Sequence, residues 1–271
     1  MKGIYNMRSY NIIDGDLNQN IGCLICYEKS EDCVVELIDG IDEWKAPLLF
    51  DRFVKEGVYT IPRKASKMWI EERVIPSDRQ NLAAILKNHN LREYNIFKML
   101  DISKGICAQD SMYIKPINEI PKYIELRTKE YVRECVALSN GRLLCFFNDS
   151  ITKIIHLSEF IDIDKIEYVM RDKKLYESIR VVTGGRCVTF NDSIDIPAYR
   201  LRQSGGNVPI SLDDFITFTR LNILDTTDSC NMIECSRQNL AYLTKKQKLI
   251  PIKENVRGSL YLKSDLENVF S

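Results

Sequence analysis

The sequence predicts an α+β protein of several domains, in which two small α/β modules precede a helical segment carrying one hairpin. Three observations carry that expectation. Short apolar runs bounded by turn residues recur through the first two segments. Apolar residues take up helical spacing after Pro76 and again after Ser211. Two stretches break the pattern: Pro116–Pro121, where paired prolines interrupt helix and central strand alike, and Gln203–Pro209, which is Gly-rich and aperiodic. These joints set expected domains over 1–118, 122–205 and 207–271.

Composition narrows the classes. Of the 271 residues, 45% are hydrophobic and 28% charged, which argues against disorder. Lysine plus arginine equals aspartate plus glutamate at 38 each, so any grip on nucleic acid must come from a local surface. No apolar run approaches the ~20 residues that cross a bilayer. Met1–Tyr10 lacks the apolar core and cleavage site of a signal peptide. Nine scattered cysteines, an odd number set mostly in apolar runs, suit reduced, buried thiols and an expected cytoplasmic location.

In the first segment, Ile21–Tyr27 and Cys33–Ile38 flank the polar stretch Glu28–Asp32 and read as a hairpin. Trp44–Phe53 contains a proline and has no clear type. Lys67–Val74 leads to Pro76-Ser77-Asp78, where Ser or Asp suits an N-cap. Leu82, Ile85, Leu86 and Leu91 then follow at helical spacing. A second helix is expected over Glu93–Leu100, stopping near Gly105, and Met112–Lys115 returns as a strand. Arg73 and Arg79 read as surface charge.

The second segment is strand-rich, with runs at Arg133–Leu138, Leu143–Phe147, Thr152–Leu157, Ile179–Val182 and Cys187–Phe190. The turns Ser139-Asn140-Gly141, Asn148-Asp149-Ser150 and Thr183-Gly184-Gly185 separate them, and Asn-Gly and Gly-Gly pairs accept positive φ. An antiparallel meander is the expected result, with Asp164–Leu175 the ambiguous, helix-compatible stretch.

In the third segment Ser211 suits the cap of a helix presenting Leu212, Phe215, Ile216, Phe218 and Thr219 on one face, with Asp213 and Asp214 in its first turn. Thr226 or Thr227 is expected to cap a short helix ending near Met232. Ile233-Glu234-Cys235 forms a turn, and Ser236 caps a helix over Arg237–Lys246 with Leu240 and Leu243 inward. Leu249–Ile252 and Leu260–Leu262 flank a polar tip, Glu254–Ser259, as a hairpin, and Ser264 caps a closing helix. Between Ser236 and Lys263 stand seven basic residues and one acid, Glu254, a local charge of +6 in a neutral chain.

This segment resembles the winged helix-turn-helix of the MerR and phage-excisionase group over about 45 residues. The resemblance is carried by Cys235-Ser236-Arg237-Gln238-Asn239, Lys245-Lys246-Gln247-Lys248-Leu249 and Leu260-Tyr261-Leu262-Lys263-Ser264-Asp265. It implies that Arg237, Gln238 and Asn239 meet bases and that Lys245, Lys248 and Arg257 meet phosphates; Ser236, as the cap of that helix, and Lys246 and Lys253, as part of the local positive charge, complete the expected DNA-binding set. The chain lacks MerR's long dimerisation helix, so neither oligomeric state nor operator symmetry follows. The middle segment is similar to bacterial domain of unknown function 2442. Asn140-Gly141-Arg142, Ile155-His156-Leu157-Ser158-Glu159-Phe160 and Thr189-Phe190-Asn191-Asp192-Ser193-Ile194-Asp195-Ile196 carry that likeness, which implies a compact α/β module without known catalysis. Trp69 through Asn81, with Ile85-Leu86, Glu93-Tyr94 and Asp110, resembles N-terminal segments of uncharacterised clostridial and phage-like mobile-element proteins.

Catalytic and metal patterns are weak. Cys23-x-x-Cys26 with Cys33 lacks the four ligands of a structural zinc site, and strand positions i and i+3 face opposite ways. Asp192 and Asp195 read as turn and strand-cap residues, His89 and His156 as structural. Gly184-Gly185 has no following helix to cradle phosphate. The expectation is a non-enzymatic, cofactor-free DNA-binding regulator of a bacterial mobile element or prophage, with double-stranded DNA as partner and no membrane. A protein partner for the first two modules and pairing of two copies are left open. The alternatives are a phage-encoded, anti-CRISPR-like inhibitor of host defence that controls its own promoter, and an antitoxin.

Overall fold

The computed structural model describes residues 7–207, 210, 212–256 and 258–270; side chains of 212, 213, 215 and 254–256 fall outside that description. The fold is α+β, and every strand pairing among the described residues is antiparallel. The chain divides into two compact units, one over Met7–Ile124 and the other from Glu125 onward.

The first unit is built on strands β1 (Met7–Asp14), β2 (Gln19–Tyr27), β3 (Asp32–Leu37) and β4 (Tyr113–Ile117), in the order β3-β2-β1-β4. The expected hairpin is β2–β3. The central strand β1 gave no clear signal, because Arg8, Ser9 and Asn11 interrupt its apolar residues. Pro116 sits on the edge strand β4, opposite Tyr10, where its missing N–H leaves no ladder bond unmade inside the sheet. Helices α1 (Asp51–Lys55), α2 (Arg63–Glu71), α3 (Leu82–Asn88) and α4 (Ile96–Ser103) fill the interval between β3 and β4.

Two expectations here are corrected. Helix α3 begins after Asn81, not at Ser77 or Asp78, and it buries none of its residues fully. Arg73 is buried rather than a surface charge: its guanidinium lies 3.9 Å from the centre of the Trp69 ring and pairs with Asp110. A charge so placed must be matched, and Asp110 matches it.

Helix α5 (Lys122–Thr128) leads to the second unit. Strands β5 (Val132–Leu138), β6 (Arg142–Phe147) and β7 (Thr152–His156) form the expected meander. Helices α6 (Ile166–Arg171) and α7 (Lys173–Glu177) resolve the ambiguous stretch. The later strands β8 (Ile179–Val181), β9 (Cys187–Phe190) and β10 (Ile194–Pro197) make a separate sheet, so the single meander is corrected to two sheets. Both line one core that includes Leu143, Cys145, Phe160, Val188 and Ile196.

Helix α8 (Ala198–Gln203) runs into the Gly-rich stretch, which is not loose as far as Asn207. Lys153 Nζ donates to the carbonyls of Arg202 and Ser204, and β11 (Gly206–Asn207) pairs with β7. Helix α9 (Leu212–Asn222) follows; its expected cap, Ser211, lies outside the described residues. The Phe218 ring of α9 lies 4.8 Å from that of Phe146, beside Val136, Leu138 and Leu144, so α9 seats on the β5–β6 sheet.

Two glycines at the turns distinguish backbone strain from steric conflict. Gly141 has φ +67° with open space where a Cβ would stand, whereas at Gly185, φ +75°, a Cβ would lie 2.3 Å from the Val132 carbonyl oxygen. Gly141→Ala is expected to cost about 1–2 kcal/mol, the left-handed penalty alone. Gly185→Ala should cost more, because it also displaces the Val132 N–H bond to its own carbonyl at 2.8 Å. Urea denaturation of the two variants measures the difference, and equal losses would contradict it.

Candidate nucleic-acid interface

After α9 come strand β12 (Ile223–Leu224), helices α10 (Thr226–Met232) and α11 (Arg237–Lys245), strands β13 (Lys253–Val256) and β14 (Gly258–Leu262), and helix α12 (Lys263–Phe270). The three strands form a small sheet in the order β12-β14-β13. Leu240, Leu243, Leu249, Tyr261 and Leu266 are its buried core.

Helix α10 is capped by Asp225, not by Thr226 or Thr227: the Asp225 carboxylate accepts the N–H groups of Thr227 at 2.7 Å and Asp228 at 2.8 Å. A short acid one residue earlier satisfies two open donors at once, so it displaces the threonines. The turn to α11 has Glu234 at φ +50° and a bond from Cys235 N–H to the Cys230 carbonyl. Ser236 caps α11 as expected, accepting the Asn239 N–H at 3.2 Å.

Burial fixes which way α11 faces. Leu240 and Leu243 point into the core, while Ser236, Arg237, Gln238 and Asn239 are all exposed. At about 100° per residue, Gln238, Ala241, Tyr242 and Lys245 centre the outward face, with Arg237 and Asn239 on its flanks. Tyr242 is the residue missed by sequence reasoning. It is 54% exposed, and the Lys246 ammonium stands 5.8 Å from its ring centre. An aromatic out of step with the Leu240 and Leu243 pair was the signal available.

The exit of α11 explains the lysine cluster. Gln247 takes φ +54°; its N–H donates to the Thr244 carbonyl, and the Lys248 N–H donates to that of Leu243 at 3.0 Å. This Schellman closure sends the chain sharply away, leaving Lys245, Lys246 and Lys248 exposed around one helix end. The sequence holds no glycine there to announce it.

The hairpin starts later than expected. Ile250 and Ile252 are exposed outside any strand, and β13 begins at Lys253, which pairs with Leu260 and is exposed. Arg257 lies outside the described residues. Strand β14 is anchored at its root: Tyr261 is buried and its hydroxyl lies 3.2 Å from Thr244 Oγ1 of α11. Asp225, Asp228 and Glu234 are exposed on α10 and its turn, whereas the exposed cations from Arg237 to Lys253 stand on α11, at its exit and at the start of β13.

Helix α12 starts at Lys263, so Ser264 is its second residue rather than its cap. The Ser264 N–H donates instead to Glu134 Oε1 on β5 at 3.2 Å. The β5–β6 ladder slips between Val132 and Glu134, and Glu134 is only 5% exposed. Burial pushes the Glu134 carboxyl up to about 7, with Glu267 and Asp265 adding repulsion and the Ser264 N–H opposing. Burial also raises Asp265, against Arg133, and Glu267, against Lys263 and Arg180.

Other residues singled out in the sequence stay apart from this surface. Cys26 faces Cys33 across β2–β3, with the sulfurs 3.1 Å apart. Asp192 sits in a turn at φ +55° and pairs with Arg180, while Asp195 lies within β10 opposite Thr189, not at a strand cap. His156 is exposed at the end of β7, its N–H bonded to Glu159, and His89 closes α3. Among the described residues no group of three or more His, Cys, Asp or Glu is placed to hold a metal ion. No described helix is long and apolar enough to cross a membrane.

No family model matches the sequence, and no curated protein or solved structure matches the chain.

Because the folded-state pKa of Glu134 is raised from its ordinary 4.5, its stabilising contribution is fully present below about pH 4.5 and is lost as pH rises through 7. The loss is on the order of 3 kcal/mol. Denaturant midpoints followed across that range should fall for the wild type and fall less for Glu134→Gln; identical slopes would refute the assignment.

Proposed function

We propose that residues from α9 onward form a winged helix-turn-helix that binds double-stranded DNA, and that the chain is a non-enzymatic transcriptional regulator from a bacterial mobile element or prophage. The observation that carries this reading is the outward face of α11. Arg237, Gln238 and Asn239 are exposed in its first turn and three exposed lysines cluster at its exit, with Leu240 and Leu243 holding the helix by its opposite side. The first turn of a recognition helix meets base edges in the major groove. Arginine suits guanine and Gln or Asn suits adenine by bidentate geometry. The lysines at the exit and Lys253 are set for phosphate, which fixes register without reading sequence. Tyr242 joins them as a base or sugar contact from the centre of the face. The odd number of cysteines, nine, set mostly in apolar runs, favours a cytoplasmic setting.

A second reading, a phage-encoded inhibitor that blocks a host defence protein, is favoured by one observation in the first unit. Trp44, in a turn, and Leu48, opening the short 3-10 helix Leu48–Phe50, are 88% and 87% exposed, the kind of apolar anchors that fill partner pockets. Under that reading, inhibition survives loss of DNA binding.

Arg237→Ala is expected to weaken cognate DNA by about 1–3 kcal/mol and to relax preference at one base pair. Lys245→Ala should weaken all sequences alike and lower the salt slope by about one. Gel shifts on the gene's own upstream DNA and on a scrambled duplex, titrated with salt, measure both. Equal losses on the two duplexes for both variants would remove the assigned roles.

A further inference from the structure

Two neighbouring threonines at the start of α10 hold two separate parts of this surface. Thr226 Oγ1 accepts the backbone N–H of Ser259 in β14 at 3.2 Å. The chain passes it closely, since a Cβ on Gly258 would stand 3.1 Å from the same oxygen. Thr227 Oγ1 accepts from Arg237 Nη2 at 3.1 Å. The Asp225 cap fixes the turn that presents both hydroxyls. The hairpin and the first turn of α11 are thus referenced to adjacent residues on one helix.

The energetics separate this arrangement from a stability device. The Thr227–Arg237 bond is exposed, and an exposed hydrogen bond contributes little to folding. Its effect falls on Arg237 itself. A free arginine side chain samples many rotamers, and ordering it on binding costs affinity. One contact through Nη2 narrows that ensemble and leaves most of the guanidinium's five donors for a ligand.

We propose that Thr227 and Thr226 are positioning residues for DNA recognition, Thr227 pre-setting Arg237 for a base edge and Thr226 setting the hairpin against α10 so that it reaches phosphate while α11 occupies the groove. The proposal rests on the DNA-binding reading above. Thr227 acts on discrimination and Thr226 on the phosphate-dependent part of affinity.

Full-length Thr227→Val, Thr227→Ser, Thr226→Val and Thr226→Ser, titrated on upstream and scrambled duplexes at several salt concentrations, test it. Thr227→Val should cut the cognate-to-scrambled ratio about three- to tenfold with the salt slope unchanged, and Thr227→Ser, which keeps the hydroxyl, should restore the ratio. Thr226→Val should make the salt slope shallower by about one, and Thr226→Ser should recover it. Equal loss on both duplexes or tighter binding by Thr227→Val, or an unchanged slope in Thr226→Val, would overturn the proposal while leaving wild-type DNA binding intact. Absence of salt-dependent binding by the wild type would instead sink the DNA reading and this inference together.

Discussion

Leu240 and Leu243 bury themselves against Leu249, Tyr261 and Leu266, and the outward face of α11 follows from that packing. Each buried leucine is worth about 1.5–3 kcal/mol, whereas an exposed charge contact is worth about 0–1 kcal/mol. Apolar contact therefore decides the rotation of the helix, and the polar residues take the directions left over. Gln238, Ala241, Tyr242 and Lys245 face outward because the two leucines cannot, and Arg237 and Asn239 stay exposed on the flanks.

That core is small and draws support from the sheet beside it. Phe218 of α9 packs on Phe146, and the backbone of Ser264 in α12 bonds to the buried Glu134 of β5. The first contact is apolar and indifferent to pH. The second engages a carboxyl that burial disfavours as an anion and that Glu267 and Asp265 repel further, so proton binding and the seating of α12 are linked. Helices at both ends of the C-terminal segment thus use the middle sheet as a floor.

Electrostatics acts on a shorter scale. The chain is neutral, yet the stretch from Ser236 to Lys263 carries +6. With a screening length near 8 Å in physiological salt, a local excess is felt at the surface and distant compensating acids are not.

Much of this was legible in the residues. Local signals read well wherever one short stretch decided the outcome: the β2–β3 hairpin, the Asn140-Gly141 turn at φ +61° and +67°, the Ser236 cap, and the inward Leu240 and Leu243. Other features escaped because they depend on partners far along the chain. Strand β1 holds the sheet centre through pairing on both sides, despite a mixed polar sequence. Arg73 is buried because Trp69 and Asp110 converge on it, and Asp225 outcompetes two plausible caps by geometry. The sequence by itself determined which residues are apolar, which carry charge and where the backbone turns. Only the tertiary structure decided which cap was used, where the middle strands split into two sheets, and that Glu134 meets Ser264 across 130 residues of chain, because such contacts are settled by the packing of distant surfaces.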